Sequence, residues 1–307
     1  MSNNTVTSLV LTIELPLNQH PAIVYLSKLS PGSQSTMKRS LNLIAQLLTD
    51  NQADYLTLDW SGLREKHTLT LRTALIKNYQ PATVNRILCA LRSVLKSALH
   101  LDLINPIDYA RAVAMKSLKV SQQGNGRVLS FDEIDALMQT CFSDLTPAGF
   151  RDAALIALIR AAGLRRAEVV KLDLKDFYEH GEIKIHSAHP RVDRSVYLSK
   201  SAIAIVNDWI EIRTQIDGPL LCQVNKSGCV VHQRLTPQSV LFLLHKRGEQ
   251  AGIKLFSPHD LRRTFIRDLL NAGVDISTVQ SLAGLSTPAL TARYQHRTED
   301  AQATTRS

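Results

Sequence analysis

A chain of 307 residues is longer than one hydrophobic core usually organises, so two domains are expected. A hydrophobic fraction of 44% and a mean hydropathy of -0.06 exclude a disordered chain, and no run approaches the length of apolar residues that a membrane span needs. Lys and Arg outnumber Asp and Glu by 36 to 27, a net charge of +9 that favours polyanionic partners but by itself names none.

The apolar patch from Leu9 to Leu17 is interrupted by Glu14 and preceded by no basic segment, which argues against a secretory leader. Cys89, Cys141, Cys222 and Cys229 form no close CxxC pair and read as reduced thiols of a cytoplasmic protein. From Pro21 to about Ala114 the pattern is helical. Leu41, Leu43, Ile44, Leu47 and Leu48 suit one buried face, and Val84, Ile87, Leu88, Leu91, Val94, Leu95, Ala98 and Leu99 repeat at three-and-four spacing after Pro81. Arg86, Arg92 and Lys96 lie away from most of that stripe. Singly each suits a solvated face; together they suit a phosphate backbone.

After Asn105-Pro106 and a short further stretch, the period is lost. The polar, Gly-containing residues 115–128 read as a linker between a helical domain at 20–114, preceded by an extension at 1–19, and a second domain at 129–307. Ser130 and Glu133 have capping-box spacing at the start of the second domain. Helical runs follow from Phe150 to Ala162 and from Ala167 to Leu172. Alternation over Glu182–His186 and Arg194–Leu198, around Ser-Ala-His-Pro, predicts a hairpin. The fold class expected is mainly α with a small antiparallel β-sheet.

Three islands in the second domain carry reactive side chains. In Gly163-Leu164-Arg165-Arg166-Ala167-Glu168, Arg165 and Glu168 sit three apart, the spacing of a local ion pair at a helix start. In Ser257-Pro258-His259-Asp260-Leu261-Arg262, the Ser-Pro pair can open a helix that puts His259 and Arg262 on one face. Near the end, Leu282-Ala283-Gly284-Leu285 precedes Ala292-Arg293-Tyr294. A phenol titrates near 10, so as a nucleophile Tyr294 needs help in losing its proton and nearby cations to stabilise the phenolate.

In order and spacing the three islands resemble the tyrosine recombinases, or phage-type integrases. Arg165 matches the arginine of the family's G-L-R-x-x-E, His259 and Arg262 match its H-x-L-R, and Tyr294 matches its terminal nucleophile, 294 − 262 = 32 residues later. The helical first half looks like the family's core DNA-binding domain and the second half like its catalytic domain, an Xer-like two-domain layout. The resemblance implies that Tyr294 attacks a DNA phosphate to form a 3′-phosphotyrosyl link. Arg165 and Arg262 would bind the non-bridging oxygens in forks and His259 would assist proton transfer, with neither ATP nor metal as cofactor. It further implies double-stranded DNA with a specific recombination site as partner and a homo-tetramer on two such sites. Arg86, Arg92 and Lys96 are the DNA-contacting candidates of the first domain.

Two positions depart from the family's pattern. Leu285 stands where a His or Trp usually follows the glycine of the third island, removing a hydrogen-bond donor. Aligning the second hairpin strand puts His189, with Arg191 close by, near the place of the family's hairpin lysine, thought to protonate the leaving 5′-oxygen; Lys184 on the first strand is a weaker candidate. A DNA-binding protein of this fold with impaired catalysis therefore stands as an alternative. A helical regulator without phosphate chemistry would make all four matches accidental. With 13 residues after Tyr294 and no evident further domain before residue 20, the chain leans toward a simple Xer-like or mobile-element enzyme of integration, excision or resolution.

Overall fold

The computed structural model describes residues 9–11, 15–120, 126–186 and 193–285. It divides into two compact units, Met1–Gly124 and Asn125–Ser307. Among the described residues no helix is long and apolar enough to cross a membrane.

The first unit contains α1 (Pro21–Ser27), α2 (Pro31–Leu48), α3 (Glu65–Asn78), α4 (Pro81–His100) and α5 (Pro106–Val113). Proline opens four of these five, where its missing N–H costs no hydrogen bond and its fixed φ suits the first turn. Asn105 caps α5 by accepting from the Asp108 N–H at 2.8 Å. Helix α4 is the spine: Val84, Ile87, Leu88, Leu91, Val94 and Leu95 are fully buried against α1 and α2. The apolar patch near the start of the chain is used here, with Leu9 buried and Val10 bridged to Leu58.

The second unit begins by wrapping the start of a later helix. Its elements are α6 (Phe131–Phe142), α7 (Pro147–Ala162), α8 (Arg166–Val169), β1 (Glu182–Ile185), β2 (Arg194–Tyr197), α9 (Lys200–Arg213), β3 (Cys222–Val224), β4 (Val230–Arg234), α10 (Pro237–Gln250), α11 (Pro258–Asn271) and α12 (Ile276–Ala283). Helix α7 is apolar almost all round, and accordingly it is buried almost all round, between α6, α9 and α11. It ends at Gly163, whose φ of +60° is the left-handed cap conformation. Ser130 and Glu133 form the capping box expected of them, each side chain taking the other's backbone N–H at 3.2 and 2.9 Å.

The architecture is mainly helical with small antiparallel sheets, as expected. The hairpin read from alternation is β1–β2, in the register Glu182 to Tyr197 and Ile185 to Arg194. A second hairpin, β3–β4, was not foreseen; it has a three-residue strand and a bulge between Cys222 and Gln223 that breaks the alternation. The stretch read as a linker is tied down at both ends. Met115 is buried in the core of the first unit. Arg127 is held in the second by Glu133 (2.7 and 2.8 Å) and by a backbone N–H to Asp260 at 2.9 Å.

Candidate active site

Arg165 is the N-cap of α8, a short helix set on its way by the left-handed turn at Gly163. Glu168, one turn on, reaches back to the Arg165 N–H (2.8 Å) and to its Nη1 (2.6 Å). The local ion pair read from the sequence is therefore present, but it is only one side of the cluster. From β2, Arg194 donates Nη1 and Nη2 to the two oxygens of the same carboxylate at 3.2 and 2.9 Å. Arg262 of α11 brings Nη1 to within 3.9 Å of it.

Helix α12 closes the cluster with its C-terminal carbonyls. Leu282 accepts from Arg194 Nε at 2.9 Å, Ala283 from Arg262 Nη2, and Gly284 from Arg165 Nη2 at 2.6 Å. Arg262 Nη1 also donates to the Gly163 carbonyl at 2.6 Å, so this guanidinium, 1% exposed, joins the C-termini of α7 and α12. Unsatisfied carbonyls at a helix C-terminus carry the negative end of the helix dipole, a natural seat for a cation. Among the described residues three guanidiniums face one carboxylate, Glu168. Burial alone would raise the Glu168 carboxyl, but the hydrogen bonds and charge of Arg194, then those of Arg165, outweigh it and hold the pKa below the ordinary value.

His259 lies in the first turn of α11, whose start is fixed by Asp260 accepting from the Ser257 N–H (2.9 Å) and hydroxyl (2.8 Å). Although the residue is exposed, its pKa is lowered, first by partial desolvation of the ring and then by the charges of Arg262 and Arg263, with Arg165 adding to them. The imidazole is accordingly neutral near pH 7 and able to accept a proton. The folded chain thus brings Arg165, His259 and Arg262 into one electrostatic neighbourhood. It adds Arg194 and Glu168, which motif reading had used only as an alignment anchor and a local pair.

Tyr294, His189 and Arg191 lie outside the described residues. Leu285 packs into a small apolar cluster with Phe265, Ile266 and Val279, and Gln280 closes the turn by donating to its carbonyl at 3.2 Å. Lys184 is on the face of the hairpin away from Arg194, its ammonium 4.8 Å over the Tyr178 ring, and its pKa is raised by that hydrogen-bonding partner. In the first unit Arg86 and Lys96 are exposed on α4, whereas Arg92 is partly buried and donates to the Met115 carbonyl.

Comparison with known proteins agrees with the geometry. Residues 127–300 match the phage integrase family. The chain is 29% identical over 226 residues to the tyrosine recombinase XerD of Listeria monocytogenes, spanning 71% of this chain and 73% of that protein. It is 27% identical over 241 residues to XerC of Treponema denticola, spanning 73% and 76%. In fold it is similar to a lambda integrase dimer bound to a COC′ core site, with a TM-score of 0.68 and 14% identity over 91% of this chain and 75% of that one. The Tn1549 transposon integrase, in complex with a circular intermediate DNA, gives 0.67 and 14% over 89% and 94%. This chain belongs to the phage integrase family, that of the tyrosine recombinases.

Proposed function

We propose that the chain is a site-specific DNA recombinase that cuts and rejoins strands through a 3′-phosphotyrosyl intermediate on Tyr294. The observation that carries this reading is the gathering, among the described residues, of three guanidiniums around Glu168, with His259 in the field of Arg262 and Arg165, in a member of this family. In the reaction the Tyr294 oxygen attacks phosphorus, the bond from phosphorus to the 5′-oxygen breaks, and the phenol proton leaves to a base while the 5′-oxygen takes one from an acid. Arg165 and Arg262 bind the non-bridging oxygens, where negative charge grows. His259 assists proton transfer, and His189 is the candidate acid at the hairpin. One diester replaces another, so rejoining needs no ATP.

Further parts of the reading concern the assembly. The helical domain at 20–114, joined through 115–128 to the catalytic domain at 129–307, contributes Arg86 and Lys96 to the DNA backbone. Four copies act on two double-stranded sites, in the cytoplasm, for integration, excision or resolution, as in a mobile element or an Xer-like system. A second reading, a DNA-binding protein with impaired catalysis, is favoured by one observation: Leu285 is engaged in apolar packing and brings no side-chain donor.

One experiment separates the two. The protein is incubated with a pool of duplexes whose randomised core is nicked at its centre, so that a cleaved strand is lost and the adduct trapped. Covalent complexes are then recovered under denaturing conditions and sequenced. A defined sequence recovered with the wild type, and nothing with Tyr294→Phe, supports the recombinase; retention of DNA without any adduct supports the binder.

A further inference from the structure

Arg194 is the one member of the cluster that none of the three motif islands contains. It opens β2 opposite Ile185, on the inner face of the hairpin, with 13% of its side chain exposed. All three guanidinium nitrogens are engaged: Nε on Leu282, and Nη1 and Nη2 on the two oxygens of Glu168. Those partners belong to the two structures that hold Arg165. Glu168 takes Nη1 of Arg165, and the carbonyl of Gly284, two residues beyond Leu282, takes its Nη2. Arg165 is itself 43% exposed, and among the described residues these two anchors set its direction.

The approach of α12 to Arg194 is built into the backbone. Gly284 has a φ of +57°, and a Cβ there would meet Arg194 Nη1 at 2.7 Å and Cζ at 3.0 Å. The helix end thus rests on the flat guanidinium at a distance only glycine allows. The rigid fork of arginine spans carboxylate and carbonyl at once; an ammonium on a flexible stem cannot.

The geometry points to Arg194 as a positioning residue for strand cleavage: it fixes Glu168 against the last turn of α12 and through both sets the direction of Arg165 toward the phosphate. Arg194 reaches the reacting atoms only through these partners. The inference rests on the recombinase reading, and its test is chosen so that the two can fail separately.

The 307-residue chain and its Arg194→Lys and Glu168→Asp variants are compared on the pool of nicked duplexes described above. Three quantities are read: DNA affinity, the single-turnover rate of adduct formation at saturating DNA, and amide hydrogen exchange across α12 and Gly284-Leu285. A displacement of order 1 Å in a catalytic group can cost about a hundredfold in rate, so Arg194→Lys is expected to form adduct about a hundredfold more slowly while binding DNA within about twofold of the wild type. The Gly284 and Leu285 amides should exchange faster. Glu168→Asp keeps the charge but withdraws the carboxylate by one methylene, so it should show the same split, and the double variant should be no slower than the slower single one. Wild-type adduct rate in Arg194→Lys, a rate loss matched by an equal loss of affinity, or additive losses in the double variant would each overturn the assignment. If the wild type gives no Tyr294-dependent adduct, the recombinase reading falls; faster exchange at Gly284 in Arg194→Lys then still upholds the anchor, and unchanged exchange removes it.

Discussion

Replacing Glu168 by Gln tests whether the cluster is held by this carboxylate. Glu168 is 15% exposed and Arg194 13%, and the two share a two-pronged contact at 2.9 and 3.2 Å. Breaking such a pair from one side costs about 3–5 kcal/mol when it is fully buried, so about 3 kcal/mol is expected here, with little added for the more exposed Arg165 contact. In a unit of this size 3 kcal/mol corresponds to roughly 6–12 °C in Tm. The two tryptophans allow a clean assay, because Trp60 lies in the first unit and Trp209, donating to the Leu220 carbonyl at 2.8 Å, in the second. In a Trp60→Phe background, urea unfolding followed by Trp209 fluorescence reports the second unit alone. The folded pKa of Glu168 is depressed, so its contribution is complete above the unfolded carboxyl pKa, about 4.3, and is lost as pH falls through the lower folded value. The difference between wild type and Glu168→Gln should therefore be constant from about pH 5 to 8 and shrink below about pH 4.3. A loss under about 1 kcal/mol at neutral pH, or a difference that does not shrink in acid, would refute the reasoning.

His259 should leave its mark on activity. With its pKa lowered, adduct formation should be level above about pH 6.5 and decline below it, and the stability that neutral His259 confers should fall over the same acid window; His259→Gln should be slower and lack that limb. Gly163→Ala should destabilise by about 3 kcal/mol, because a Cβ at φ +60° would sit 2.3 Å from the Phe265 ring. Gly228→Ala, at φ +79° in open space, should cost only about 1 kcal/mol in the same denaturation assay. On α4, Arg86→Ala and Lys96→Ala should each weaken DNA binding and reduce the slope of log affinity against log salt by about 1. Arg92→Ala should instead lower the melting temperature of the first unit, because its guanidinium secures Met115.

What could be read from the sequence was local. The capping box at Ser130 and the helix start at Ser257-Pro258 each depend on residues a few positions apart, and so does the first hairpin. The second hairpin escaped because its short strand and bulge erase the period-two pattern, though the Asn225–Gly228 turn between the strands was a usable signal. Arg194 escaped for a different reason. Its partners are 26 and 88 residues away, a separation at which no spacing rule operates, and within β2 it reads as an ordinary strand-opening residue. Arg262 was found by its motif, but its surroundings were not: burial, and partners 99 and 21 residues away, come from α7 and α12 ending at the same point.

That convergence bears on how the site keeps its charge. Fixing a buried guanidinium requires acceptors, and carboxylates would be the strongest. Among the described residues four of the acceptors are main-chain carbonyls, at Gly163, Leu282, Ala283 and Gly284, and one carboxylate serves all three arginines. Carbonyls orient a cation without cancelling it, and at helix C-termini they do so with the dipole's favourable end. A fold that met each arginine with its own carboxylate would hold the guanidiniums as firmly. It would leave no net charge for a phosphodiester to neutralise, and none to stabilise the additional charge that develops as the strand is cut.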